Sequence, residues 1–345
     1  MKMLVTGANG HVGFSVCKAL LAQGHEVRAS IRSADDAAKA DPLRALGIDD
    51  IVSLDVRALE PFVEACRGMD VLIHVAATYA MHPQAPAETQ SMLRDSTEGA
   101  ANAVRAAARA GVPKVVLTSS VAALPRVGPA DPPVTEEHWA TELDVPYFRA
   151  KTEGEQAAWK AADETGVKLV AILPGTVGGP DFNRRTPSLG LIESVMLGSM
   201  RLGAPNTNLA YVDVRDVAAA HVLAAERDVA GRFIIANDHA PTMRELSLLM
   251  HWSDASTPAA PAVLPDFVMS AGPALDWLRS TIFHTPRMVT PALVATMRGK
   301  VTKVSNTRAK AELGWNQSIG LDRSLSETMA AIRALRRREG HRRVI

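Results

Sequence analysis

Thr6-Gly7-Ala8-Asn9-Gly10-His11-Val12-Gly13 joins an apolar run, residues 2–6, to a helical stretch over 12–23. Glycines three residues apart between strand and helix allow a tight turn and a close approach of backbone to ligand. The helix that follows aims its first N–H groups at any phosphate held there. The three-and-three spacing differs from the commonest dinucleotide fingerprint, so the strand before and the helix after carry the reading. Outward from this turn, short apolar runs alternate with helical stretches, the rhythm of βαβ units. Strands are predicted at 2–6, 26–31, 50–54, 71–76, 114–119 and 168–173, with helices over 12–23, 59–66, 88–110 and 146–165. Gly24 and Gly111 stand where the first and third of these helices should stop.

The fold class is α/β: a doubly wound parallel Rossmann sheet with a smaller, mostly helical substrate-binding region. Beyond Pro174 the rhythm breaks, and a helix over 189–200 has no strand partner at regular spacing. Two later apolar pieces, 209–212 and 232–235, still read as sheet elements. The expected organisation is residues 1–175 plus a return at about 209–238 for the nucleotide domain. Residues 176–208 and 239–330 form the substrate region, and 331–345 a basic tail read as a solvated helix end.

A net charge of +1 gives no basic face for nucleic acid. Two cysteines, Cys17 and Cys66, without metal-ligand spacing favour free thiols in a reducing cytoplasm. His138, Trp139, His239 and His251 show no ligand spacing, and no metal is expected. Met3-Leu4-Val5 already reads as strand, so no signal peptide is expected, and no apolar stretch is long enough to span a bilayer. The apolar segment 263–283 is broken by Pro265, Asp266, Pro273, Asp276 and Arg279 and is read as a substrate-side lid, with membrane-surface contact as the alternative.

The end of the second strand selects the cofactor. An acid there binds ribose hydroxyls, whereas an arginine accommodates a 2′-phosphate. The chain reads Val27-Arg28-Ala29-Ser30-Ile31-Arg32-Ser33, with no acid before Asp35. Arg32 can pair with a phosphate, with Ser30 or Ser33 adding a hydroxyl. NADP(H) is therefore predicted.

The chemical end is Tyr147-Phe148-Arg149-Ala150-Lys151. Four residues apart on a helix, phenol and ammonium share a face, and the cation favours the phenolate. Upstream, Val115-Val116-Leu117 runs into Thr118-Ser119-Ser120, whose hydroxyls emerge at the ligand-binding edge of a parallel sheet. Together these residues resemble the extended short-chain dehydrogenase/reductase family, over nearly the whole chain. By that resemblance Ser120 polarises a carbonyl, with Ser119 the runner-up. Tyr147 is the acid/base, and Lys151 lowers its pKa and holds the nicotinamide ribose.

The resemblance also implies the cofactor contacts. Gly7, Asn9, Gly10, His11, Val12 and Gly13 cradle the pyrophosphate, Asp55 and Val56 the adenine. Ala76, Ala77 and Thr78 pass under the cofactor beside Thr118, and Pro174, Gly175, Thr176 and Val177 close over the nicotinamide. Tyr211 to Ala218 and Leu313-Gly314-Trp315 are also family-like. Ser96 stands where many members have asparagine, which puts a relay role at that position in doubt.

Within the family, Thr118-Ser119-Ser120 and the Val27 to Arg32 stretch look most like the branch of dihydroflavonol reductases, cinnamoyl-CoA reductases and hydroxysteroid dehydrogenases. That implies an NADP(H)-dependent carbonyl reductase or alcohol dehydrogenase. The competing readings are an NAD-dependent nucleotide-sugar epimerase or dehydratase and a non-catalytic NADP-binding redox sensor. Thr78, Tyr79, Met81 and the 182–196 stretch are expected to shape the pocket. Phe182, Leu189, Ile192 and Met196 have the spacing to line an apolar cleft for an aromatic or alicyclic carbonyl, or equally to be core. A homodimer through the helices at 88–110 and 146–165 is expected from the resemblance.

Overall fold

The computed structural model describes residues 1–77, 85–182, 185–283 and 289–342. Strand and helix alternate from the start: β1 (Lys2–Thr6), α1 (His11–Ala22), β2 (Glu26–Ile31), α2 (Ala37–Arg44), β3 (Ile51–Ser53) and α3 (Leu59–Cys66). They continue with β4 (Val71–His74), α4 (Pro86–Ala110), β5 (Lys114–Thr118), α5 (Pro146–Thr165) and β6 (Lys168–Pro174). Then follow β7 (Thr176–Gly178), α6 (Pro187–Met196), β8 (Tyr211–Asp213), α7 (Val214–Glu226) and β9 (Gly231–Ile235). The remainder is helical: α8 (Met243–Ser253), α9 (Asp266–Phe283), α10 (Pro291–Met297), α11 (Thr307–Ala311) and α12 (Leu321–Arg342).

Seven strands form one parallel sheet in the order β3-β2-β1-β4-β5-β6-β9. Successive side chains along each strand point to opposite faces. Met3 and Val5 of β1 therefore enter the core beneath α1 and α7, while Leu4 enters the one beneath α3, α4 and α5. Both faces are covered, which is why these strands read as continuous apolar runs. On the second face α4 and α5 pack through small residues. A Cβ built on Gly154 would lie 2.8 Å from the Ser96 carbonyl oxygen, so the helices approach there to backbone distance. Helix α4 ends at Gly111, whose φ of 76° is the left-handed conformation glycine adopts without strain.

Two elements had no counterpart in the sequence reading. Helix α2 carries Pro42 inside it, a residue that reads as a breaker, and β7 is three residues long, too short to show alternation. Strand β7 pairs with β8 in a separate two-stranded sheet. The order of the large sheet creates a switch point: the chain winds outward from β1 to β3, then crosses back to β4 on the other side of β1. Ligands bind beyond the carboxyl ends of the strands at such a crevice.

Helices α6, α8 and α12 gather around a separate core that includes Tyr211. The basic run of α12 is tied down rather than simply solvated, since Arg336 pairs with Glu193 and Glu339 with Arg185. Helix α9 leaves Phe267 74% and Trp277 55% exposed. None of the described helices is long and apolar enough to cross a membrane.

Candidate active site

The carboxyl ends of β1 to β6 open into a cavity of about 850 Å³. Its nucleotide end is built mostly from main chain. Thr6 Oγ1 donates to His74 Nδ1 at 2.9 Å and accepts from Val75 N and Ala76 N, fastening the glycine turn to the end of β4. A Cβ on Gly7 would meet Ala76 Cα at 2.8 Å, and one on Gly13 would meet the Gly7 oxygen at 2.3 Å. No other residue fits these positions without displacing backbone. Gly10 caps α1 without a side-chain hydrogen bond, so no protein side chain takes the helix's first donors.

Gly7, Asn9, Gly10, His11, Val12 and Gly13 all line this wall. Burial pushes the His11 imidazole down to about 4, so the ring is neutral, its Nε2–H donates to the Pro180 carbonyl, and buried Nδ1 has no protein partner. A cradle that any Cβ would fill, an uncapped helix start and an orphaned polar atom fit a bound dinucleotide.

Arg32 is exposed at the rim of this end and makes no hydrogen bond or ion pair among the described residues. Arg28, by contrast, is consumed by Asp50 and the Ala65 carbonyl. Ser30 reaches the cavity; Ser33 is not part of its wall. Lys39 of α2 also lines it, paired with Asp36 at 2.6 Å. The sequence reading missed this second cation because it missed α2. Asp55 and Val56 line the adjacent wall, and the Arg57 guanidinium holds the Asp55 carboxyl down at about 2. Ala76 and Ala77 follow β4 along the floor, and Pro174, Gly175, Thr176 and Val177 form the opposite side. Thr78, Tyr79 and Met81 lie outside the described residues.

At the chemical end, β5 delivers Thr118, Ser119 and Ser120, and α5 delivers Tyr147 and Lys151 to the same wall. The two serines differ. Ser119 Oγ donates to Glu155 Oε2 at 2.5 Å, so its proton is committed. Ser120 Oγ accepts from Ala122 N at 3.1 Å, which leaves its own proton to donate. Lys151 Nζ donates to the Thr118 carbonyl at 3.3 Å. Burial lowers its ammonium to about 8, with Glu155 opposing the shift.

Glu155 was not anticipated by the sequence reading, although a third polar residue at four-residue spacing on one helix face was a visible signal. Its carboxylate also accepts from Trp159 Nε1 at 3.1 Å and Arg232 Nε at 2.7 Å, all of them buried or partly buried. Arg232 in turn donates to the Glu136 and His138 carbonyls and lies 3.7 Å over the Trp139 ring. A hydrogen-bonded buried pair of this kind fixes geometry.

The substrate end departs from the expected apolar cleft. Leu189 and Ile192 are core, Met196 packs against that core, and Phe182 packs there and edge-on to His11 at 5.3 Å. Periodicity identified an apolar face of α6 but not the direction it points; Ser188 and Leu191 line the cavity instead. The expected lid, α9, contributes no lining residue among those described, whereas α10 contributes Leu293, Thr296 and Met297. Ser96 is buried at the α4–α5 contact and is not part of the cavity wall.

A doubly wound sheet, a glycine turn at its switch point and a Ser/Tyr/Lys wall define the short-chain dehydrogenase/reductase class, in its extended form. The family described as the NAD dependent epimerase/dehydratase family matches residues 3–236, and the chain belongs to it. It is 36% identical over 245 residues to cinnamoyl-CoA reductase 1 of Arabidopsis thaliana, covering 67% of this chain and 69% of that one. Among solved structures it is similar to yeast methylglyoxal/isovaleraldehyde reductase Gre2 complexed with NADPH, with TM-score 0.74, 21% identity and 98% and 100% of the two chains covered. It is also similar to the UDP-glucose 4-epimerase of Thermus thermophilus in complex with NAD, with TM-score 0.71, 22% identity and 96% and 99% covered. At these identities the two structures show a shared fold.

Proposed function

We propose that the chain is an NADP(H)-dependent oxidoreductase that reduces a ketone or aldehyde, or oxidises the corresponding alcohol, with Tyr147 as acid/base. The observation carrying this reading is that Ser120, Tyr147 and Lys151 share one cavity with the glycine cradle. The cinnamoyl-CoA reductase relative supports reduction over epimerisation. The fold accepts either dinucleotide, so Arg32, without a protein partner and with no acid beside it, is the argument for the 2′-phosphate.

When bound, the reduced nicotinamide supplies a hydride to the carbonyl carbon. The chain's own residues handle the oxygen. Ser120 donates its hydroxyl proton to the carbonyl oxygen and polarises it, while its Oγ stays fixed by Ala122 N. Tyr147 delivers a proton to the same oxygen. Lys151, tethered to the Thr118 carbonyl, keeps a positive charge near the phenol and stabilises the phenolate left behind. Asp55 and Val56 face the adenine, and Pro174 to Val177 the nicotinamide.

The test is a screen of aldehydes and ketones read by NADPH absorbance, with UDP-hexoses as the competing class. Tyr147→Phe should cut kcat by about 100-fold to 10,000-fold with NADPH affinity nearly intact. Sugar interconversion without NADPH oxidation would replace the reductase reading with the epimerase one.

A further inference from the structure

The substrate end of the cavity carries three cations, Arg126, Arg185 and Lys300, and their partners differ. Arg185 donates to Glu193 at 2.7 Å and to Glu339 at 2.6 Å. Lys300 is ion-paired with Glu142. Arg126 has no ion pair among the described residues, and its one hydrogen bond is long, 3.4 Å to Thr207 Oγ1. A guanidinium carries five N–H donors in a planar fork, so most of its capacity is unused. Burial lowers it to about 10, so it stays charged at neutral pH. A partly buried cation without a counter-ion is costly, and an oxyanion placed against it removes that cost.

The position of Arg126 is fixed from both sides. It lies six residues beyond Ser120, on the loop leaving the 3-10 turn Val121–Ala123. The next residue, Val127, exchanges backbone hydrogen bonds with Val301, 3.2 and 2.8 Å, at the end of the segment that carries Lys300. The guanidinium is thus held at a set distance from the serine that polarises the carbonyl.

We propose that Arg126 is a substrate-recognition residue that pairs with a carboxylate, so that the compound reduced is an aldehyde or ketone bearing a second, anionic oxygen group. The assignment rests on the reductase reading above and names its substrate class. It replaces the apolar substrate that helix periodicity suggested.

Two measurements test it. In the first, NADPH-dependent reduction of 4-carboxybenzaldehyde is compared with that of its methyl ester, for wild type, Arg126→Met and Arg126→Lys. Wild type should favour the acid by about tenfold to 100-fold in kcat/KM, the methionine variant should bring that ratio to about one, and the lysine variant should fall between. An equal ratio in wild type and Arg126→Met overturns the proposal. The second needs no turnover: calorimetric binding of terephthalate against dimethyl terephthalate, with NADPH affinity as the check that the variant is folded. Terephthalate should bind wild type and lose about tenfold or more in affinity for Arg126→Met. Failure to bind wild type, or equal binding to both, overturns the assignment even if the reductase reading holds. Loss of reduction with selective binding retained would instead remove the reductase reading and leave the carboxylate site.

Discussion

One end of the cavity is made of main chain from consecutive residues, the other of side chains gathered from distant segments. At the nucleotide end, Gly7, Gly10 and Gly13 form a wall because they lack side chains, and the first helix presents its donors as a consequence of being a helix. At the substrate end, Arg126 meets Thr207 across 81 residues and Lys300 meets Glu142 across 158. A main-chain wall tolerates almost no substitution. A side-chain wall can change its chemistry while the backbone stays put.

The sharpest way to break that comparison is at the joint between the ends. Glu155→Gln should cost about 3–5 kcal/mol in a urea titration, because it leaves the buried Arg232 guanidinium uncompensated. A loss below about 1 kcal/mol would show that the network does not hold the site. Next is Gly13→Ala, whose new methyl meets the Gly7 oxygen. It should cost about 1–3 kcal/mol and weaken NADPH binding on the order of tenfold or more. Intact cofactor affinity would mean the turn is not a close-approach wall.

Smaller still is Arg32→Asp, which should raise KM for NADPH relative to NADH by about tenfold to 100-fold. Equal changes in both would remove Arg32 from 2′-phosphate binding. The mildest test is pH. Since Lys151 titrates near 8 rather than 10.5, kcat/KM should fall as pH rises through about 8. The stability sign is opposite: between about 8 and 10.5 the unfolded chain binds a proton that the native state lacks, so this group's contribution rises with pH. Lys151→Met should abolish both trends, compared by activity and denaturation midpoint at pH 7.5 and 9.5.

The same contrast explains what the sequence made legible. The glycine turn, the serines and the Tyr147/Lys151 pair are local patterns set by strand and helix periods, and the first-half strands fall within two residues of their predicted bounds. Glu155–Arg232 and Arg126 depend on pairings that no window of sequence contains. Helix α6 shows the limit from another side. Its period marked Leu189 and Ile192 as one apolar face, but only packing against α8 and α12 decides that this face is core and that Leu191 faces the cavity.

Tyr147, Lys151 and Glu155 stand at four-residue steps on α5. Their alignment is counted along a single rod, which makes that rod a ruler for the chemistry. One residue inserted between 147 and 151 would swing the phenol about 100° away from the ammonium. Length variation that loops can absorb is therefore ruled out across this span, whatever residues fill it.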